Sequence, residues 1–161
     1  MNKQIITDKI SGNQAPLLHA DLTYKIRGAI FNVYNTLGCG HKEQVYQKAL
    51  AKEFNEMKLP YKKEESLSVR YKNEVVGNYR PDFVADDKVI IELKAVEFMP
   101  KSYETQLVHY LKTTCYEIGL LVNFGSPRLS IKRIIWTNQC KSALNPRKSN
   151  TCKFNLNQEE L

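Results

Sequence analysis

Residues 79–94 read YRPDFVADDKVIIELK, and this stretch decides which fold the sequence predicts. Two apolar segments lie on either side of a polar triplet at 86–88, a pattern typical of two strands joined by a turn. Asp82 lies at the end of the first segment, and Glu92 and Lys94 lie at the end of the second. Because successive side chains of a strand alternate between its faces, we expect Glu92 and Lys94 on the same face.

The second strand of this predicted hairpin is apolar on both faces. Its residues 89–91 read VII, which is typical of a central strand that is covered on both sides. A charged pair at the end of such a strand is costly without a partner, and a divalent cation is one candidate. Mg²⁺ or Mn²⁺ binds carboxylate oxygens together with water and phosphate oxygens, and Asp82 and Glu92 on neighbouring strands can supply the carboxylates. The alternative is a hairpin that carries a surface ion pair.

The spacing of these charged residues resembles the active-site signature of the PD-(D/E)XK nuclease superfamily. Pro81-Asp82 is followed ten positions later by Glu92-Leu93-Lys94. The resemblance implies a restriction-endonuclease-like fold and a Mg²⁺ or Mn²⁺ cofactor held by Asp82 and Glu92. It also implies a catalytic role for Lys94, either as a general base or as a group that stabilises developing negative charge.

A second motif lies upstream, at the start of a predicted helix. Residues 40–46 read GHKEQVY, which has the form G-x-x-E-x-x-Y. This string is similar to the one that characterises the GxxExxY proteins, a small family within the same superfamily. In related nucleases a helical glutamate before the first strand completes the metal site, so the resemblance implies that Glu43 is a third metal ligand. An acidic residue in the first turn of a helix is also favoured by the helix dipole, whatever the function.

A third motif lies on the helix predicted after the hairpin. Gln106 and Tyr110 are four residues apart, and their side chains should therefore lie side by side. This Q-x-x-x-Y pattern resembles the extra motif of the RecB-like and lambda-exonuclease-like branch of these nucleases, in which both side chains lie close to the metal and the scissile phosphate. The resemblance implies catalytic roles for both residues. The alternative is a solvated glutamine beside a tyrosine at the edge of an apolar face.

Hydrophobic periodicity in the rest of the chain predicts an α/β (α+β) fold with the element order ααβββαββ. We expect a central mixed sheet of about five strands, flanked by helices, in a nuclease-like domain at 20–137. A polar arm at 1–19 and a polar tail at 138–161 are expected on either side of it. The predicted helices span 21–37, 42–58 and 102–115, and the predicted strands span 66–72, 75–84, 89–93, 117–124 and 129–136.

Composition narrows the class of protein and its partners. The 161 residues carry a formal net charge of +7, which favours a polyanionic partner. We therefore expect a nucleic acid. The resemblance to these nucleases implies DNA more than RNA, and no base-reading motif in the sequence decides between them. The four cysteines lack the spacing of a zinc site, and no run is apolar enough for a signal peptide or a membrane span. We expect a cytoplasmic protein that does not bind membranes, and a domain this small is compatible with a homo-oligomer that encloses a duplex.

Together these features predict a metal-dependent phosphodiesterase that acts on nucleic acid. Asp82 and Glu92 are the predicted metal ligands, Glu43 is a third ligand or orients a metal-bound water, and Lys94 is the predicted catalytic cation. A catalytically silent module that binds nucleic acid or protein on the same fold is the main alternative. A basic globular protein with a purely structural hairpin is the third.

Overall fold

The computed structural model describes residues 18–72, 74–114 and 116–136. The polar arm expected at 1–19 lies outside these ranges except for its last two residues, and the tail expected at 138–161 lies outside them entirely. The helices are α1 Ala20–Leu37, α2 Glu43–Glu56 and α3 Lys101–Thr113. The strands are β1 Tyr61–Lys63, β2 Leu67–Tyr71, β3 Glu74–Tyr79, β4 Phe83–Ala85, β5 Val89–Lys94, β6 Ile118–Asn123 and β7 Ser130–Ile135.

A central five-stranded sheet organises the domain. Its spatial order is β1-β4-β5-β6-β7, in which β5 and β6 are parallel and the other neighbours are antiparallel. The connection between the parallel strands contains α3, because parallel neighbours need a crossover. The predicted α/β fold with a mixed five-stranded sheet is confirmed, and the architecture is consistent with a restriction-endonuclease-like fold.

The sheet separates two apolar cores. The first packs α1 and α2 against one face, and Ile91 and Leu93 of β5 point into it. The second lies under α3 on the other face, where Ile90 of β5 meets Leu107 and Leu111. Since alternate residues of β5 face opposite cores, Glu92 and Lys94 lie on the α3 side of the sheet.

The prediction of a single strand at 75–84 is wrong. The structure divides it into β3 and β4, which belong to different sheets, and β3 pairs with β2 in a separate two-stranded hairpin. Pro81 lies in the gap between them, where it has no N–H to donate to a ladder and restricts the backbone of Arg80. The observed order is therefore ααβββββαββ, and the unpredicted strand β1 lies at one edge of the five-stranded sheet.

The turn between β4 and β5 sets the register of the predicted catalytic strands. Asp86 and Asp87 have φ values of 49° and 50°, and the N–H of Lys88 donates to the carbonyl of Ala85 at 2.9 Å. Two consecutive left-handed residues form the tight turn that matches the twist of antiparallel strands. The turn pairs Ala85 with Val89 and leaves Asp82 and Glu92 just beyond the last paired residues of the hairpin.

Candidate active site

Asp82 is held from two directions at the start of β4. Its Oδ2 accepts a hydrogen bond from the backbone N–H of Leu93 at 2.7 Å, and its Oδ1 accepts one from Nε2 of Gln47 at 3.0 Å. The same Gln47 amide also donates to Oε1 of Glu64 at 3.3 Å. Burial raises the pKa of the Asp82 carboxyl, while the bond from Leu93 lowers it less. The carboxylate is therefore fixed in orientation but costly to keep charged.

Glu92 lies opposite Asp82 and is held by two side chains. The hydroxyl of Tyr79 donates to its Oε1, and the Lys94 ammonium donates to its Oε2 at 3.3 Å. This contact confirms that Glu92 and Lys94 point to the same face. Burial raises the pKa of Glu92, and repulsion from Asp82 raises it further. The two carboxyl groups therefore repel each other when both are charged.

Lys94 is the cation of this cluster. Burial lowers its pKa, but the combined attraction of Glu92, Glu43 and Asp82 outweighs burial and leaves the pKa above its usual value. Its Nζ also lies 5.3 Å from the centre of the Tyr103 ring. An ammonium in this setting is suited to stabilising negative charge, which is one of the two roles that the sequence left open for it.

Glu43 reaches the cluster from the first turn of α2. Burial raises its pKa, attraction by Lys94 lowers it, and repulsion from Asp82 raises it. The carboxylate therefore interacts electrostatically with both predicted catalytic strands. Across the residues that the structure describes, however, no three acidic, histidine or cysteine side chains converge closely enough to form a metal site. Glu43 is near the predicted ligands but is not assembled with them.

Gln106 and Tyr110 lie side by side on α3, as their spacing predicts. Nε2 of Gln106 donates to the Tyr110 hydroxyl at 3.2 Å. The Tyr110 ring stacks on the Tyr79 ring with centroids 3.4 Å apart and an interplanar angle of 8°. Since Tyr79 donates to Glu92, the Q-x-x-x-Y pair is connected to the predicted metal ligand through Tyr79.

Two residues that contact the predicted ligands were missed by the sequence analysis. Tyr79 lies three positions before Asp82, and burial raises the pKa of its hydroxyl, so it remains a donor to Glu92. Gln47 lies four positions after Glu43 on the same helix, and that spacing places both on one face. The i,i+4 relation was a usable signal for Gln47. No comparable pattern identifies the contact that Tyr79 makes.

The tyrosine of the G-x-x-E-x-x-Y string has a structural position. The hydroxyl of Tyr46 donates to the carbonyl of Gly38 at 2.9 Å and accepts from the N–H of His41 at 3.1 Å. Its ring stacks on Phe124 with centroids 4.4 Å apart. Tyr46 therefore holds the loop that leads into the first turn of α2, where Glu43 lies.

The backbone that follows Lys94 is anchored to the end of β6. The side chain of Asn123 accepts from the N–H of Val96 at 3.1 Å and donates to its carbonyl at 2.8 Å. The N–H of Phe124 donates to the carbonyl of Lys94 at 2.8 Å. A Cβ at Gly125 would lie 2.2 Å from the nitrogen of Val96, so only glycine fits this approach. These contacts fix the exit of β5 and hence the base of the Lys94 side chain.

Most of the chain matches a known protein family. A family model described as the PD-(D/E)XK nuclease superfamily matches residues 20–134, which is well over half of the chain. No curated protein and no solved structure gave a significant match. The matched range contains every residue of the cluster described above.

Proposed function

Because the chain belongs to the PD-(D/E)XK nuclease superfamily, we propose that it is a metal-dependent nuclease that hydrolyses phosphodiester bonds in nucleic acid, DNA rather than RNA. One observation carries the proposal. Asp82 and Glu92 meet at the adjoining ends of β4 and β5, with the Lys94 ammonium 3.3 Å from Glu92. A surface that only bound phosphates would gain nothing from two half-buried carboxyl groups at its centre.

The donor set of this cluster fits a hard cation. The pKa values of Asp82, Glu92 and Glu43 are all raised, first by burial, and the carboxyl groups repel one another. A divalent cation would offset that repulsion, and Mg²⁺ is ordinarily held by one or two carboxylates together with water and phosphate oxygens. We propose Asp82 and Glu92 as its protein ligands and Glu43 as a ligand or as an orienter of its water. When bound, the ion would polarise a phosphoryl oxygen and make hydroxide available near neutral pH.

The remaining residues would orient the substrate and stabilise charge. The Lys94 ammonium would stabilise the negative charge that develops on the phosphoryl oxygens. Gln106 would hold the attacking water or the backbone, and Tyr110 would contact the phosphate or a base. Tyr79 and Gln47 would keep Glu92 and Asp82 oriented, because each donates a hydrogen bond to one of these carboxylates.

The family motifs support a finer assignment within the superfamily. We propose that the chain is a GxxExxY protein of the RecB-like and lambda-exonuclease-like branch. Support comes from Glu43, which interacts with Asp82 and Lys94, and from the contact between Gln106 and Tyr110.

None of the described helices combines the length and apolar character needed to cross a membrane. We further propose a nuclease domain at 20–137, a cytoplasmic location, and a homo-oligomer for a substrate that is a duplex.

One observation favours a second function, a catalytically silent module that binds nucleic acid. Within the described residues, Glu43 does not join Asp82 and Glu92 as a preformed three-carboxylate site. A silent module would bind a duplex without needing a divalent cation and would be indifferent to loss of Asp82. The two functions therefore differ in their dependence on metal and on one side chain.

Cleavage assays separate these functions. Purified protein is incubated with labelled duplex DNA, single-stranded DNA and RNA in Mg²⁺, in Mn²⁺ and in EDTA. The nuclease cuts DNA in the presence of either metal, and Asp82→Ala abolishes cutting. The exposed Asp87→Asn is the control, since it removes a carboxylate at the far end of the same hairpin and asparagine tolerates the left-handed backbone of that turn. Wild-type protein that binds DNA but remains inert with every metal and substrate would favour the silent module.

A further inference from the structure

The β2–β3 hairpin presents an apolar surface that no part of the described chain covers. Tyr71, Val75 and Val76 have relative exposures of 61%, 50% and 59%. The inner part of the hairpin behaves differently, because Leu67 and Val69 pack against the core under α3. Exposed aromatic and branched apolar residues on a protruding ribbon are unusual for a surface that meets only water.

A β-bulge lies within the exposed part of the hairpin. Val69 pairs with Gly77, whereas the next residue of β2 pairs with Val75, so Val76 is the extra residue of β3. A bulge bends its strand and increases the local twist. Val75 and Val76 are both exposed although successive side chains of a regular strand face opposite sides, so both faces of the hairpin are uncovered here.

One end of the same hairpin lies at the candidate active site. Tyr79, the last residue of β3, donates a hydrogen bond to Glu92, and its ring stacks on Tyr110. From Tyr79 to Val75 the strand covers about 13 Å at about 3.3 Å per residue. That distance corresponds to about four base pairs of a duplex at about 3.4 Å each. A ribbon aligned with a polynucleotide bound at Glu92 would therefore reach about four base pairs along it.

Charge along the ribbon fits a polyanion. Among its described side chains between residues 67 and 80, Lys72 and Arg80 are exposed cations and Glu74 is the exposed acid. The Lys72 ammonium lies 5.4 Å from the centre of the exposed Tyr71 ring. A cation beside an exposed aromatic ring is suited to a phosphate next to a base edge or methyl group.

We propose that the β2–β3 hairpin is a substrate-binding ribbon that enters the major groove of duplex DNA about four base pairs from the scissile phosphate. This inference rests on the proposed function, since it takes the bound polynucleotide as the hairpin's occupant. The major groove of B-form DNA admits a two-stranded ribbon, whereas the major groove of duplex RNA is too deep and narrow. The exposed valines contact base edges, and Lys72 contacts the backbone.

The test uses two exposed substitutions that leave the core intact. Tyr71→Ser combined with Val76→Ser removes the two most exposed of the three apolar side chains. Tyr24→Ser is the control, because Tyr24 is 81% exposed on α1. Fluorescence anisotropy, recorded in the presence of Ca²⁺, measures binding to a labelled DNA duplex of about 20 base pairs, to the single strand and to duplex RNA. We expect the double variant to bind duplex DNA about tenfold more weakly, with little change for the other two ligands.

Three results would overturn the hairpin assignment. In the first, the double variant binds duplex DNA as tightly as wild type does. In the second, the double variant loses as much affinity for the single strand as for the duplex. In the third, the wild-type protein binds no duplex DNA. Light scattering supplies a fourth: a wild-type dimer that becomes monomeric in the double variant would identify a second copy as the occupant.

A small phosphodiester such as thymidine 5′-p-nitrophenyl phosphate separates this inference from the proposed function, because it is too short to reach the hairpin. We expect wild type and the double variant to hydrolyse it equally with Mn²⁺. If neither protein hydrolyses it or cuts DNA while the binding difference holds, the nuclease assignment fails and the ribbon stands. A double variant that loses this hydrolysis would show that the substitutions act at the catalytic site, and the ribbon would be overturned.

Discussion

One face of β5 is apolar, and the other face ends in charged side chains. On the side of α1 and α2, Val89, Ile91 and Leu93 are fully buried among apolar side chains. On the side of α3, the same strand begins with the buried Ile90 and ends with Glu92 and Lys94, whose side chains are 14% and 18% exposed. The difference shows how a rigid apolar face can hold a costly charged cluster in place on the opposite face.

The apolar face should govern stability and the charged face should govern activity. Fully burying an aliphatic side chain contributes about 1.5–3 kcal/mol to folding, whereas burying like charges opposes folding. Substitutions on the two faces should therefore have separable effects. The following predictions test that separation, beginning with the largest expected effect.

Replacement of Lys94 tests the charged face most strongly. We expect Lys94→Met to lower kcat for cleavage by about 10²–10³-fold, because the ammonium that stabilises developing negative charge is lost. The melting temperature at pH 7 should fall, because the methionine retains the apolar stem but leaves the carboxylates without their cation, so cleavage is assayed well below it. Lys52→Met on the exposed surface of α2 is the control and should cleave like wild type. Unimpaired cleavage by Lys94→Met would remove this residue from the mechanism.

Leu93 is the neighbouring residue on the opposite face. We expect Leu93→Ala to lower the free energy of unfolding by about 2–5 kcal/mol, because it leaves a cavity in the core against α1 and α2. Urea denaturation measures this loss. Cleavage assayed well below the new melting temperature should stay close to wild type, since the backbone N–H that binds Asp82 is retained. Lost activity in a stable Leu93→Ala protein would show that the faces are not separable.

Tyr79 tests whether the orientation of Glu92 matters. Tyr79→Phe keeps the ring that stacks on Tyr110 and removes the hydroxyl that donates to Glu92. We expect about a 10–100-fold loss of cleavage, expressed as a higher Mn²⁺ requirement that excess Mn²⁺ partly restores. Tyr34→Phe, which removes a hydrogen bond to Ser126 elsewhere in the fold, is the control and should not change the metal requirement. A loss that no Mn²⁺ concentration relieves would argue for a direct catalytic role of the hydroxyl.

The smallest effect concerns the pH dependence of stability. Burial raises the pKa values of Glu43, Asp82 and Glu92, so the folded metal-free protein binds protons more tightly than the unfolded chain. Their contribution to stability therefore falls as pH rises from the ordinary carboxyl pKa of about 4 through the raised folded values. We expect Glu43→Gln to raise the melting temperature in EDTA by a few degrees at pH 7 and by less at pH 4.

The exposed Glu56→Gln is the control for this pH experiment, because it removes an acidic side chain from the surface of α2. Thermal melts of both variants and wild type across this range supply the comparison. An equal shift for Glu43→Gln at both pH values would mean that the charge of Glu43 is not what destabilises the fold. A lower melting temperature at pH 7 would contradict the unfavourable burial altogether.

The sequence was sufficient for the central hairpin because its signals are local. The turn at Asp86 and Asp87, the apolar run of β5 and the alternation of Glu92 and Lys94 all follow from residues within one short stretch. The helices follow for the same reason, since Gly38 with its φ of 67° ends α1 directly after the predicted range of 21–37.

What the sequence could not give depends on distant contacts. In the run from 75 to 84 Pro81 is a local signal for a break, but nothing local indicates that the two halves join different sheets. Tyr79 contacts Glu92 only because the chain turns between β3 and β4. The Gln47 contact requires α2 to dock over β4, since Gln47 is 35 residues away from Asp82 in sequence. Such contacts are determined by tertiary packing and leave no period in the chain.

The position of a bound metal tests the central claim most directly. Crystals of the protein soaked in Mn²⁺, with anomalous diffraction recorded near the manganese edge, would locate the ion. We expect one anomalous peak within ligating distance of Asp82 and Glu92 and on the side of Glu43, and no peak there in Asp82→Ala crystals. A peak elsewhere, or none at a Mn²⁺ concentration that supports cleavage, would contradict the assignment of these carboxylates as metal ligands.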